Sequence, residues 1–412
     1  MGRNRKDLST TSKVAGMLSF AALAKTLPRT VVDEELAKAA RKEKRVRALP
    51  AYFVVYYTLA MSLWSQTGVQ EVLRWVLEQA RTLFGLENVP VATSGAISSA
   101  RARLGSAVLE TLYRRVVVPL AGKTTKGAWH EGLRLVALDG STLDLQDTKE
   151  NAGHYGYASG RRGQSAFPKL RFVALVETGT RVLFGARMGP YAKSEQALGA
   201  EVIGALGKGM LCLADRLFYS YAFWKKALAS GAHLLWRVKN NTRLPVEQTL
   251  PDGSWLSTLY ANAKDRGKKQ NGLRVRVIRY QLAGKDAPKE KYLLITTLLD
   301  HEKHPATTLA GLYPQRWEIE IAYDEFKTHL RGGAVVLRSK TPELVEQEFY
   351  AFLLAHYCAR RLMHEAALAN DIEPNTLSFT HTVEVIKRKL PAFNKAGFSP
   401  SAAGENAPAD HS

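Results

Sequence analysis

Two short, mostly apolar runs, Leu133–Leu138 (LRLVAL) and Met210–Ala214 (MLCLA), each stop on an aspartate, Asp139 and Asp215. This repetition constrains the fold more than any other feature of the chain. Apolar runs of this length, bounded by turn signals, suit strands buried on both faces, as in a sheet covered by helices. Each acid then falls at the carboxyl end of a buried strand beside a turn. Asp144 and Asp147 compete with Asp139, which is preferred because it follows the apolar run directly.

The segment Tyr313–Lys327, YPQRWEIEIAYDEFK, adds a second constraint. On an α-helix, at about 100° per residue, Tyr313, Arg316, Glu320 and Lys327 fall within an arc of roughly 60°. A carboxylate beside two cations suits a site that holds a metal ion through Glu320 while Arg316 and Lys327 grip the phosphates on which the metal acts. A solvated face with modest ion pairs is the competing reading, and Asp324 is a rival acid near the stripe.

The pattern Y-x2-R-x3-E-x6-K resembles the signature of the insertion-sequence-4 family of cut-and-paste DDE transposases, and Tyr313, Arg316, Glu320 and Lys327 match it at every position. D-G-S at Asp139 and A-D-R-L-F-Y-S around Asp215 are similar to the family's first and second catalytic motifs. The resemblance covers residues 14 to 368. It implies an α/β fold: a ribonuclease-H-like catalytic core, a mixed sheet flanked by helices, interrupted by a β-rich insertion and preceded by an all-helical N-terminal DNA-binding domain. Asp139, Asp215 and Glu320 would bind two Mg²⁺ ions, with Mn²⁺ able to substitute, and Tyr313, Arg316 and Lys327 would contact DNA. The implied partners are the terminal inverted repeats and target DNA, bound by a homodimer that excises the donor and transfers strands through a 3′-hydroxyl. The setting would be a prokaryotic cytoplasm, at the nucleoid. A ribonuclease-H-like nuclease without strand transfer, or a non-catalytic DNA-binding descendant, are the alternatives.

The rest of the chain divides around these motifs. Residues 1–13 are a basic tail and 14–121 a set of helices. Among these, the short basic helix after Thr93 or Ser94 carries Arg101 and Arg103, and the family likeness of its A-R-A-R-L-G run favours DNA contact. Residues 130–239 form the first part of the core, 240–300 the β-rich insertion, and 301–368 the last part of the core with the signature helix. Residues 369–412 are a C-terminal extension, its tail disordered by composition. Gln146–Gln164 reads as a glycine-rich loop in which Tyr155, Tyr157, Arg161 and Arg162 interleave aromatics with cations, which suits DNA contact or a plain surface loop equally. The longer-than-minimal interval from Asp215 to Glu320 fits an insertion.

Charge points the same way. The 412 residues carry 58 Lys and Arg against 38 Asp and Glu, a formal net charge of +20, which argues for a polyanionic partner and for nucleic acid before a membrane surface. Two cysteines, Cys212 and Cys358, lie in apolar contexts and read as buried, without a disulfide framework, in a reducing cytosol. Neither the apolar stretch after the basic N-terminus nor Leu49–Trp64 has the length of a membrane span. His301, Glu302 and His304 resemble a metal cluster by composition alone. No phosphate-binding G-x-x-x-x-G-K-[ST] loop or G-x-S-x-G elbow is present.

Overall fold

Strand formation begins where side chains are apolar on both faces. In the computed structural model, which describes residues 25–41, 48–84, 89–160, 163–281, 291–330, 333 and 336–388, Leu135–Leu138 are fully buried within β2 (Leu133–Asp144). The basic tail, the apolar stretch beyond it, Arg161, Arg162 and the end of the C-terminal extension lie outside the described residues. A two-residue strand, β1 (Trp129–His130), pairs with the start of β2.

Around β2 the sheet is mixed. On one side it pairs antiparallel with β4 (Gly163–Glu177), which pairs antiparallel with β5 (Val182–Pro190) as a hairpin. On the other it pairs parallel with β6 (Met210–Ala214), and β6 parallel with β7 (His233–Val238). An antiparallel three-strand meander joined to two parallel strands is the ribonuclease-H-like core expected from the sequence. Helices Glu195–Val202 and Tyr221–Leu228 connect β5 to β6 and β6 to β7.

The β-rich insertion continues this sheet. Strand β11 (Lys291–Thr296) pairs antiparallel with β7, and β10 (Leu273–Gln281), β9 (Trp255–Leu259) and β8 (Gln248–Thr249) follow outward. Among the described residues this makes one eleven-stranded sheet. Arg276 on β10 is fully buried, its guanidinium paired with Asp252 and donating to Ser254 Oγ at 2.8 Å and His304 O at 2.6 Å. Such a buried pair, fully hydrogen-bonded, fixes the insertion against the segment that leads into the signature helix.

Gln146–Gln164 is more ordered than a loop. Thr148 caps a helix, Lys149–Tyr155, by accepting the Asn151 N–H on its hydroxyl, and β3 (Tyr157–Gly160) then pairs with β4.

The helical layer is organised by the long helix Pro342–Ala369, which starts with proline in its first turn and is buried along most of its length. Against it packs Ala51–Leu63, AYFVVYYTLAMSL, which is apolar all round and buried all round, as such a composition requires. A single hydrophobic core runs from these helices into the sheet. Cys212 and Cys358 are free and buried, and no described helix is long and apolar enough to cross a membrane.

Candidate active site

The register of the central strands decides where the two aspartates go. Leu138 pairs with Ala214, the last residue of β6, so Asp139 and Asp215 follow at the same level of adjacent parallel strands. Asp215 stands at its strand's end as expected. Asp139 does not, because β2 runs on to Asp144 along its other edge, with Asp139 opposite Ala174 of β4. Its side chain is 19% exposed and accepts the Gly140 N–H at 2.8 Å. Burial pushes its carboxyl up to about 6, helped by the charges of Glu195 and Glu320 and opposed by Gly140 N–H and Arg316. The rival acids are engaged elsewhere: Asp144 pairs with Lys169, and Asp147 accepts the Tyr157 hydroxyl at 2.5 Å.

The signature segment reaches this level of the sheet, though not as one uniform α-helix. It is a 3₁₀ turn over Tyr313–Trp317, an α-helix over Glu318–Asp324 and a π-turn over Glu325–His329. Widened turns of this kind concentrate at functional sites. Here the widening sends Glu325 and Phe326 into the core while Lys327 faces outward to β2. Below the site, Phe172 of β4 meets Tyr323, Phe326 and Phe349 with ring centroids 5.0, 5.8 and 5.5 Å away, which anchors the segment to the sheet.

Arg316 links the two parts of the sequence. It donates from Nη1 to Asp139 Oδ2 at 3.1 Å and from Nη2 to Glu320 Oε1 at 3.3 Å, and it is 6% exposed. Burial opposes its charge, and the nearby Tyr313, Asp139, Asp215 and Glu320 more than offset that opposition. Lys327 Nζ donates to Ser141 Oγ at 3.1 Å, and the Tyr323 hydroxyl donates to the Asp139 carbonyl at 2.7 Å. Asp139, Gly140, Ser141, Glu320, Tyr323 and Lys327 line a cleft of about 390 Å³. Asp324 also borders it, 57% exposed and paired with His329.

Three placements differ from expectation. Tyr313, expected to reach a phosphate, is 5% exposed and donates its hydroxyl to the Ala214 carbonyl at 3.3 Å, bracing the residue before Asp215. Arg101, expected on a DNA-facing helix, is buried: it donates to Gln347 Oε1 at 2.8 Å, Ser339 Oγ at 3.1 Å and Leu344 O at 3.1 Å, tying its helix to the long helix. Only Arg103 of that pair faces solvent. Asp215, half-buried, stands beside Arg316 without lining the cleft, and among the described residues no three His, Cys, Asp or Glu side chains are gathered as a metal site. His304 instead shares a 3.2 Å hydrogen bond with His130.

Sequence reasoning missed Glu195, on the helix after β5, whose carboxyl group lies over Gly140. The signal was the glycine itself, since a glycine inside a strand marks close approach by another group. Nothing local identifies that group.

A family model described as the transposase DDE domain matches residues 130–358, and one described as the insertion element 4 transposase N-terminal region matches residues 17–114. The chain is 28% identical over 363 residues to the transposase InsG of insertion sequence element IS4 from Escherichia coli K12, covering 87% of this chain and 80% of that protein. Among solved structures it is similar to the piggyBac transposase in a synaptic complex with hairpin DNA, at 10% identity and a TM-score of 0.45, over 97% of this chain and 84% of that one.

Proposed function

The chain belongs to the insertion-sequence-4 family of DDE transposases, and from that membership we propose that Asp139, Asp215 and Glu320 are the carboxylates through which it cuts donor strands and joins them to a target. It is an insertion-sequence DNA transposase, and its family generally works with divalent metal ions. The observation that carries the assignment of residues is the Arg316 bridge, which draws Asp139 on β2 and Glu320 on the signature helix to one cleft, at the sheet level where Asp215 also emerges.

The donor set fits such ions. Carboxylate oxygens are the hard ligands that Mg²⁺ and Mn²⁺ take, and Asp139 and Glu320 bring such oxygens to the cleft. Asp139, Asp215 and Glu320 would hold two Mg²⁺ ions, or Mn²⁺ in their place. Bound there, the ions supply activation of a water or 3′-hydroxyl and stabilisation of the leaving oxygen. The remaining tasks fall to the protein. Arg316, buried and donating to both acids, holds Asp139 and Glu320 in place rather than reaching out as expected, and Lys327 adds a point charge on the β2 side. Tyr323 and Tyr313 hold the backbone at Asp139 and Ala214, so that the acids keep their level. The exposed Arg103 helix is the reading head for a terminal repeat, and two copies act together on paired ends.

The test is single-turnover cleavage and strand transfer on a duplex carrying an element end. Asp139→Ala, Asp215→Ala and Glu320→Ala should each lose at least about a thousandfold in rate, on the order of 4 kcal/mol of barrier, with circular dichroism unchanged. Asp324→Ala should stay within a few fold. A wild-type protein that nicks without joining would be a nuclease, and one that only binds would be a non-catalytic descendant.

A further inference from the structure

We infer that Glu195 supplies a fourth carboxylate to the cation site of Asp139, Asp215 and Glu320, an inference that rests on the metal-dependent reading above. Glu195 opens the helix Glu195–Val202, and Ser194 caps that helix by accepting the Ala197 N–H on its hydroxyl at 3.1 Å. The side chain turns back over β2. A Cβ on Gly140 would stand 2.7 Å from the Glu195 carboxyl carbon, closer than real side chains come. Gly140 is therefore the residue that admits this carboxylate beside Asp139, its neighbour in the chain.

The charge of Glu195 is felt at Asp139 and at Tyr323, both of which border the cleft or brace it. Among the described residues no hydrogen bond or ion pair holds the Glu195 carboxylate. Glu201, farther along the same helix, is paired with Lys193 at 2.5 Å. A partly buried acid left unpaired beside another acid is repulsive, and that cost is relieved when a cation sits between them. Helix capping does not require Glu195, because Ser194 already does it. An acid in a first turn gains only about 0.3–1 kcal/mol from the helix dipole.

Titration of the full chain with Mn²⁺ in the absence of DNA, followed by the electron paramagnetic resonance of the free ion, tests this without any turnover. Glu195→Gln keeps the shape and removes the charge, and should weaken Mn²⁺ binding about tenfold, as loss of a supporting group at a metal site does. Gly140→Ala should cost about the same by displacing the carboxylate, and the Gly140→Ala/Glu195→Ala pair should lose no more than Glu195→Ala alone. Glu201→Gln should bind as wild type does. Circular dichroism identifies any variant that fails to fold, and Glu195→Gln decides alone if Gly140→Ala does. If Asp139→Asn and Glu320→Gln lose Mn²⁺ while Glu195→Gln keeps wild-type affinity, the role of Glu195 is overturned and the three-acid site stands. If Asp139→Asn and Glu320→Gln also bind normally, the metal-dependent reading falls and the inference falls with it.

Discussion

Asp139 and Glu325 are both buried acids gripped by arginine, and they lie in opposite electrostatic situations. Glu325, 5% exposed on the inward side of the signature segment, accepts Arg360 Nε at 2.9 Å and Arg181 Nη1 at 3.1 Å, with His356 at 3.5 Å. Burial works to raise its carboxyl, and His356 and Arg360 reverse this and hold it at about 2. Asp139 shares its single arginine with Glu320, has Glu195 nearby, and sits at about 6. Glu325 is the more deeply buried of the two, 5% exposed against 19%, yet its carboxyl is the lowered one. At Glu325 the cationic partners outweigh burial, while at Asp139 burial outweighs the one arginine it shares.

That contrast fixes the sign of the pH dependence. The stability contributed by Glu325 is present above its unfolded value near 4.5 and is lost as pH falls toward 2. Asp139 does the reverse: its penalty is full above about 6 and gone below its ordinary 3.8.

The largest effect should come from breaking the Glu325 cluster. Arg360→Ala leaves Glu325 charged and buried and should cost about 3–5 kcal/mol in urea unfolding. A loss under 1 kcal/mol would mean that Glu325 does not depend on Arg360 for its charge. Next comes relief of the buried charge at Asp139. Asp139→Asn should stabilise the fold at pH 8 by up to roughly 3 kcal/mol, two pKa units at about 1.4 kcal/mol each, and the gain should shrink as pH falls through 6 toward 4. A gain independent of pH would mean that packing, and not charge, is responsible. The smallest effect concerns the shared arginine. Arg316→Ala should slow nicking at saturating Mg²⁺ by about ten- to a hundredfold, roughly 1.4–2.7 kcal/mol. Arg316→Lys should recover part of that, because it restores charge without the planar fork. Wild-type rates in Arg316→Ala would show that Arg316 only pairs with its two acids.

Local sequence was enough wherever neighbours in the chain make the decision. The apolar runs of β2, β6 and β7 dictated buried strands, and Thr93, Ser194 and Ser220 capped helices through side chains that reach amides three residues ahead. The family pattern of Tyr313, Arg316, Glu320 and Lys327 could be read because its members lie within fifteen positions. What the chain could not disclose locally was which long polar side chains would be covered. Arg101 and Arg103 sit two residues apart on one helix, yet the first is buried against Gln347 and Ser339 and the second is exposed. Which face the long helix covers depends on contacts made more than two hundred residues away. The same holds for Tyr313, drawn inward to Ala214, for the insertion, which extends the sheet because β7 had a free edge, and for Glu195 over Gly140. Short-range pattern located the buried strands and the helix caps. Only tertiary packing decided which charges are buried and which are left uncompensated, because desolvation depends on everything that packs around a group.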